Sequence, residues 1–329
     1  MPTDLATLRA WLRQALPHPL LTTDFPELGE KYEGKVRDCY TRDGKRTLIV
    51  TDRVSAFDRV LGTLPLKGQV LNQATAFWME ATRELVPNHL ISVPDPNVMI
   101  AVECEPLPVE FVVRAYLTGV TSTSIWYHYA RGAREFCGHR LPEGLKKNEP
   151  LPSPILTPST KAAKGGRDES LSRQEILDRG LLSARDFDEA AEKAMTLFSF
   201  GQRHCAQQGL ILVDTKYEFG RLPGGEIVLI DEIHTPDSSR FWFEASYEIQ
   251  MARGAEPQSF DKEFLRRYLA GQGFLGDGPL PEIPEEIWIE AAALYIEALE
   301  TITGTPFHPN LDPPGDRLRR NLGLAPSKG

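Results

Sequence analysis

The sequence predicts a two-lobed, mixed α/β protein that handles a nucleotide, and three observations carry that reading. A chain of 329 residues with 41% hydrophobic content can bury a large core, and its length argues for two subdomains rather than one. Strand-like apolar runs are interleaved with stretches of helical spacing. Basic, glycine-bearing turns and acidic strand ends recur along the chain, and polar residues bunched at the end of a buried strand line clefts.

Composition narrows the class. With 37 Lys and Arg against 46 Asp and Glu, the formal charge of −9 disfavours a nucleic-acid partner, which needs a basic face. An anionic substrate must then be held by local clusters. No apolar run approaches the roughly 20 residues of a membrane span. The N-terminal stretch has an amphipathic rhythm (Leu5, Leu8, Trp11, Leu12, Leu16) rather than a signal-peptide core, so a cytoplasmic protein with no membrane partner is expected. Cys39, Cys104, Cys137 and Cys205 lack CxxC spacing and read as ordinary thiols. The seven histidines show no ligand spacing and read as structural or surface residues.

After the first helix, the segment Leu28 to Tyr40 sets Gly29 and Gly34 beside Lys31, Lys35, Arg37 and Asp38. Glycine lets backbone amides approach an anion and the basic side chains neutralise it, although a hairpin turn with surface lysines has the same pattern. A strand, Arg46 to Thr51, follows and ends in Asp52 to Asp58. Next come a Lys67-Gly68 turn and a helix with Leu71, Ala74, Phe77 and Trp78 on its apolar side, in which Asn72 either caps or meets a ligand. From His89 to Val113 strands are broken by prolines at 94, 96, 106 and 108, which predicts a stiff connector between the lobes. Arg114 ends that run and is followed by Thr118, Gly119, Thr121, Ser122, Thr123 and Ser124, a donor set suited to a phosphomonoester.

Residues 131–173 read as loop-rich, with Thr157, Ser159, Thr160, Lys161 and Lys164 between prolines. Ser172 with Glu175 makes a capping box, and a long helix is expected from Ser183 to Gln207. Helices from Lys262 to Ala270 and from Pro284 to Thr303 read as packing elements. The Pro- and Gly-rich tail from Pro309 is expected to lie along the surface or fray.

The most informative stretch is Leu210 to Arg240. An apolar run leads into Asp214, Lys216 and Glu218 on one strand face; a Gly/Pro turn and a second apolar run, Ile227 to Ile230, deliver Asp231 and Glu232, and the whole reads as a β-hairpin. Of its two parities, the one that buries both apolar sets together is expected to bring Asp231 onto the Glu218 face. Two carboxylates about 4 Å apart repel by roughly 4 kcal/mol at an effective dielectric of 20. A cation between them relieves this, and oxygen-only ligands point to magnesium. Taken alone, the Asp-x-Lys-x-Glu alternation also describes the wet face of an antiparallel sheet. The Pro236 to Arg240 loop beside it, with hydroxyls and an arginine, suits phosphate.

Seven motifs, in order, carry a resemblance: GKVRD (34–38), DRVSAFD (52–58), LKGQVLNQ (66–73), VVRAYLTG (112–119), TPSTKA (157–162), VDTKYEFG (213–220) and IDEIHTPDSSR (230–240). Together the chain resembles the SAICAR synthetase family of purine biosynthesis, in its longer form. The resemblance implies an α+β fold of two lobes, a small antiparallel N-terminal lobe (1–108) and a larger α/β C-terminal lobe (109–329). ATP would lie in the cleft between them, as in ATP-grasp and kinase-like architectures. It implies an ATP-dependent ligase that joins the carboxylate of carboxyaminoimidazole ribotide (CAIR) to the amino group of L-aspartate through an acyl phosphate, releasing ADP and phosphate. Monomers or a small homo-oligomer are expected.

By the same resemblance, Gly34, Lys35 and Arg37 would cover the ATP phosphates. The connector from Val102 to Glu110, with Glu105 and Glu110, would hold the nucleotide, and Glu218 and Asp231 would bind Mg2+. Lys35, Lys216 and Asp231 would form the catalytic set. Lys216, Arg114 and Arg240 would bind ribotide phosphate or the transferring phosphoryl group, Asp168 the imidazole amine, and Ser55, Asp58 and Lys67 would line the same cleft. Val120 stands where the family commonly has a phosphate-binding serine, which leaves that part to Thr121 or Ser122; Arg167 replaces a common histidine. A kinase-type phosphotransferase with a hydroxyl acceptor, or a non-catalytic nucleotide-binding module, are the alternatives.

Overall fold

The computed structural model describes residues 3–56, 59–121, 123–161, 168–260, 263–274 and 278–326. Helix α1 (Leu5–Ala15) starts at Asp4, whose carboxylate accepts the N–H groups of Ala6 and Thr7, and it buries Leu8, Leu12 and Ala15, as its spacing predicts. Then come β1 (Glu30–Glu33), β2 (Arg37–Arg42), β3 (Lys45–Val50), the hairpin β4 (Arg53–Ala56) and β5 (Arg59–Thr63), α2 (Lys67–Thr82), β6 (Leu90–Asp95) and β7 (Val98–Val102). Five of these strands form an antiparallel sheet in the order β1-β2-β3-β7-β6.

Strand β8 (Glu105–Tyr116) leaves that sheet and enters a second one. After α3 (Ile125–Tyr129) the chain runs through β9 (Glu135–Phe136), β10 (His139–Arg140), β11 (Pro150–Leu156) and β12 (Ser159–Thr160). Helices α4 (Arg173–Asp178) and α5 (Ala184–Gln207) lead to β13 (Leu210–Arg221), β14 (Ile227–Ile230) and β15 (Ser239–Phe243). The order is β11-β8-β13-β14, with β12 on β8 and β15 on β13. Helix α5 lays Phe187, Ala190, Ala194, Leu197 and Phe198 into a core shared with Val109, Phe111, Val113, Tyr217 and Phe219. The opposite faces of β8 and β13 are thereby left to polar residues. Four helices close the chain: α6 (Glu244–Ala252), α7 (Glu263–Gly271), α8 (Glu285–Thr303) and α9 (Pro314–Asn321). Helix α8 packs with α1 and α2 around a second core. No helix among the described residues is long and apolar enough to cross a membrane.

Four expectations are corrected. Only Pro106 and Pro108 lie on the strand that follows Val102, at 105–116; Pro94 lies within β6 and Pro96 in the β6–β7 turn. Of the two expectations for the tail, fraying does not hold up to residue 326, the last one described. In α9 Arg317 is 2% exposed and makes paired hydrogen bonds of 3.0 and 3.2 Å to Asp95, while Gln69 exchanges two bonds with the Asn310 backbone. Asn72 lies inside α2, buried, with neither amide atom hydrogen-bonded, so it caps nothing.

The hairpin register is the fourth correction. Glu218 faces Ile230 and Phe219 faces Leu229, so on a continued strand Asp231 would oppose Tyr217 and point at the core. Strand β14 stops at Ile230 instead, and Asp231 adopts φ +69°. Aspartate tolerates this left-handed conformation better than most residues. The turn rotates the carboxylate out of the core, so both acids reach one cleft by a route that alternation does not encode.

Candidate active site

Strand β13 is the spine of the site. Its partners on β8 pair Asp214 with Arg114, Lys216 with Val112 and Glu218 with Glu110. These side chains share the face turned away from α5. On the other edge β15 covers residues up to Thr215 and β14 begins at Glu218. The link between them therefore crosses β13 at Lys216, whose backbone N–H donates to the Ser238 carbonyl at 3.1 Å.

A cleft of about 800 Å³ opens over the Glu218 end, lined by Gly34, Lys35, Arg37, Lys161, Glu218 and Asp231 among others. Lys216 bonds Glu110 at 3.1 Å and also Glu218, and Lys161 takes the other Glu218 oxygen. Arg37 grips Asp231 through both nitrogens and reaches Glu232 at 3.3 Å. Burial works against charge on Asp231, but Arg37, Lys216 and Lys161 outweigh it and hold the carboxyl down to about 2. Burial likewise opposes the Lys216 ammonium, yet Glu218, Glu110 and Asp231 push its pKa up. The Glu110 pKa is raised too, because burial and the Glu218 charge outweigh the pull of Lys216. Every charge here is thus compensated, and at neutral pH Asp231 is a carboxylate and Lys216 a cation.

Glu218 and Asp231 offer hard oxygen donors, which fits Mg2+ held by one or two carboxylates and completed by phosphate oxygens and water. Among the described residues no group of three His, Cys, Asp or Glu side chains is assembled as a metal cage, so such an ion would rely on substrate oxygens.

The glycine turn is braced from behind. Arg53, 5% exposed, donates to the carbonyls of Gly34 at 2.9 Å and Lys35 at 3.1 Å and to Asp38 at 2.8 Å. Asp38 in turn accepts the Thr23 N–H at 2.7 Å.

At the far end of the β13 face, Arg240 bonds Asp214 Oδ2 at 2.8 Å and Arg114 approaches the same oxygen at 3.5 Å. Arg114 also donates to Thr157 Oγ1 at 2.8 Å and to the Thr123 carbonyl at 3.1 Å. Thr121 and Ser124 hydroxyls are 2.7 Å apart. Gly119 sits at φ +90°, where a Cβ would lie 2.4 Å from Ser124 Oγ and 3.1 Å from Arg240, so only glycine lets this loop close on the arginine. Two guanidinium groups and adjacent hydroxyls are a donor set suited to an anion.

Other expected residues differ in burial. Glu105 is exposed, and its neighbours Glu103, Cys104 and Pro106 line the cleft instead. Ser55 is half-buried on β4 and Asp168 is exposed. Lys67 is buried against Asp237 at 2.9 Å. Asp58 and Ser122 fall outside the described residues, as does Arg167. Sequence alone does not mark Asp214 as a linker of arginines, Arg53 and Asp38 as braces, or Lys161 and Glu232 as partners. A basic or acidic residue inside an apolar strand run was the available signal for the first three.

Known proteins resemble the chain over most of its length. A model of the family described as SAICAR synthetase matches residues 30–276. The phosphoribosylaminoimidazole-succinocarboxamide synthase of Legionella pneumophila (strain Lens) is 48% identical over 310 residues, covering 93% of this chain and 98% of the relative. The chloroplastic enzyme of that name from Arabidopsis thaliana is 47% identical over 324 residues, covering 98% of this chain and 78% of its own. Among solved structures, the SAICAR synthase of Saccharomyces cerevisiae complexed with SAICAR superposes with TM-score 0.77 at 32% identity, covering 88% of this chain and 100% of that one. A type-2 SAICAR synthetase in complex with ADP gives TM-score 0.64 at 26% identity, with 85% and 100% covered.

Proposed function

The chain belongs to the SAICAR synthetase family, and from that premise we propose how its cleft carries out the ATP-dependent ligation of CAIR and L-aspartate. One observation carries the reading. A single strand face presents an arginine pair at Asp214, a compensated lysine at Lys216 and a carboxylate at Glu218, spread over about 13 Å by the rise of a strand.

In the proposed arrangement Arg114 and Arg240 hold the ribotide phosphate, and Thr121 and Ser122 border it. Gly34, Lys35 and Arg37 cover the ATP phosphates, and the connecting strand receives the adenine. Mg2+, held by Glu218 and Asp231, would neutralise the phosphate oxygens as charge shifts toward the leaving ADP. A CAIR carboxylate oxygen attacks the γ-phosphorus, the bond to the ADP oxygen breaks, and Lys216 faces the transferring group. The aspartate amine then attacks the acyl carbon, phosphate departs, and the amine proton is lost to give the amide. Such chemistry asks the protein for positioning and charge neutralisation rather than a nucleophile. We also propose a two-lobe division near residue 108, a cytoplasmic location, and a monomer or small homo-oligomer. Light scattering checks the last point.

The test is a coupled ADP-release assay. Release that requires both CAIR and L-aspartate supports the ligase; release with an alcohol acceptor and no aspartate favours a phosphotransferase, and ATP binding without turnover a non-catalytic module.

A further inference from the structure

Lys67 at the start of α2 is 1% exposed, and a buried ammonium is costly unless it is paired. Its Nζ lies 2.9 Å from Asp237 Oδ2 and 5.6 Å from the centre of the Tyr295 ring. The second Asp237 oxygen accepts the Tyr295 hydroxyl at 2.6 Å. Both oxygens of Asp237 are thus engaged by separate parts of the fold, α2 and α8.

Asp237 sits in the link between β14 and β15. Its N–H donates to Thr235 Oγ1 at 3.2 Å, and that hydroxyl donates to Glu232 at 2.6 Å. The next residue, Ser238, accepts the Lys216 N–H at 3.1 Å. Ser239 bonds Thr215 at 2.7 Å, and Arg240 reaches Asp214. The link also passes through two non-glycine residues at positive φ, Asp231 and His234, a path held by surrounding contacts rather than by local preference. Its Asp231 end has its own clamp in Arg37. Its Arg240 end follows Asp237 by three residues.

We propose that Lys67, Asp237 and Tyr295 are positioning residues that fix this link and so set Arg240 at the ribotide end, an inference that rests on the ligase reading above. Tyr295 belongs to α8, beyond residues 30–276 matched by the family model. The C-terminal helices thereby reach the link through the Asp237 carboxylate.

The test is Tyr295→Phe, which removes one hydroxyl and keeps the ring beneath Lys67. Steady-state kinetics on wild type come first; absence of CAIR- and aspartate-dependent ADP release there counts against the ligase reading and not against this network. With wild type active, the variant should raise KM for CAIR at least about fivefold, with kcat and KM for ATP within about twofold, the signature of weakened uniform binding. A merely structural role would lower the melting temperature and the active fraction while leaving KM for CAIR unchanged, and that result overturns the proposal. So does an equal rise in both KM values. Because the network acts through Asp237, Tyr295→Phe added to Asp237→Asn should raise KM for CAIR no further than Asp237→Asn alone; full additivity contradicts it.

Discussion

Glu218 lies directly opposite Ile230 across the β13–β14 pair, one residue short of Asp231, and the left-handed turn at Asp231 makes up the difference. Two carboxylates from opposite pleat positions come to line the same cleft, each matched with cations. Because each carries one of the charges proposed to hold Mg2+, Glu218→Gln or Asp231→Asn should lower turnover by about 100-fold or more. Initial rates at saturating magnesium check this, and near-normal rates in either variant contradict the assignment.

Arg114 shares Asp214 with Arg240 and is tied to Thr157, away from the bond that forms. Phosphate held equally in ground and transition states contributes uniform binding, so Arg114→Ala should mainly raise KM for the ribotide. A collapsed kcat with an unchanged ribotide KM would be the wrong outcome.

Two buried histidines bring an acid sensitivity. Burial lowers the His234 pKa to about 3 and that of His89 to about 4, whereas in the unfolded chain both titrate near 6.5. The unfolded state binds the extra protons, so stability is full above about pH 6.5 and falls as pH drops toward 4, by up to about 1.4 kcal/mol per pH unit for each histidine. His234→Gln should reduce stability at pH 7, because Tyr217 loses its imidazole partner, yet flatten the slope between pH 6.5 and 4. Urea unfolding at several pH values gives the comparison; an unchanged slope rules out this source.

Arg317 is the bolt of the C-terminal helix, with a side chain 2% exposed against a fully buried Asp95. Removing one partner of such a pair leaves a buried charge alone, at a cost of roughly 3–5 kcal/mol. Arg317→Ala should therefore shift the urea midpoint clearly downward, while Arg320→Ala, whose pair with Asp312 is about 60% exposed on both sides, should shift it little.

What could be read in the sequence follows from how local each cause is. Ser172 and Glu175 form their capping box within four residues, and α5 declares itself by Phe187, Ala190, Ala194 and Leu197. The strands of the hairpin were equally legible. Its register was not, because the turn at Asp231 answers to Arg37, distant by 194 positions. Asp214 looked like a solvated strand residue because its partners Arg114 and Arg240 lie 100 and 26 positions away. For the tail, composition left lying along the surface and fraying equally open, and the choice rests on Arg317 finding Asp95 across 222 positions. The motif set around Lys216, Glu218 and Arg240 pointed to the family; its division of labour between Arg37, Lys161 and Asp214 needed coordinates.

The acyl-phosphate route is the centre of the account, and a heavy-oxygen label in the CAIR carboxylate tests it directly. If that carboxylate attacks ATP, the oxygen bridging carbon and phosphorus leaves with phosphate when the aspartate amine displaces it. Mass spectrometry of the inorganic phosphate should then find one labelled oxygen per turnover. Unlabelled phosphate, with the amide still formed, would contradict it.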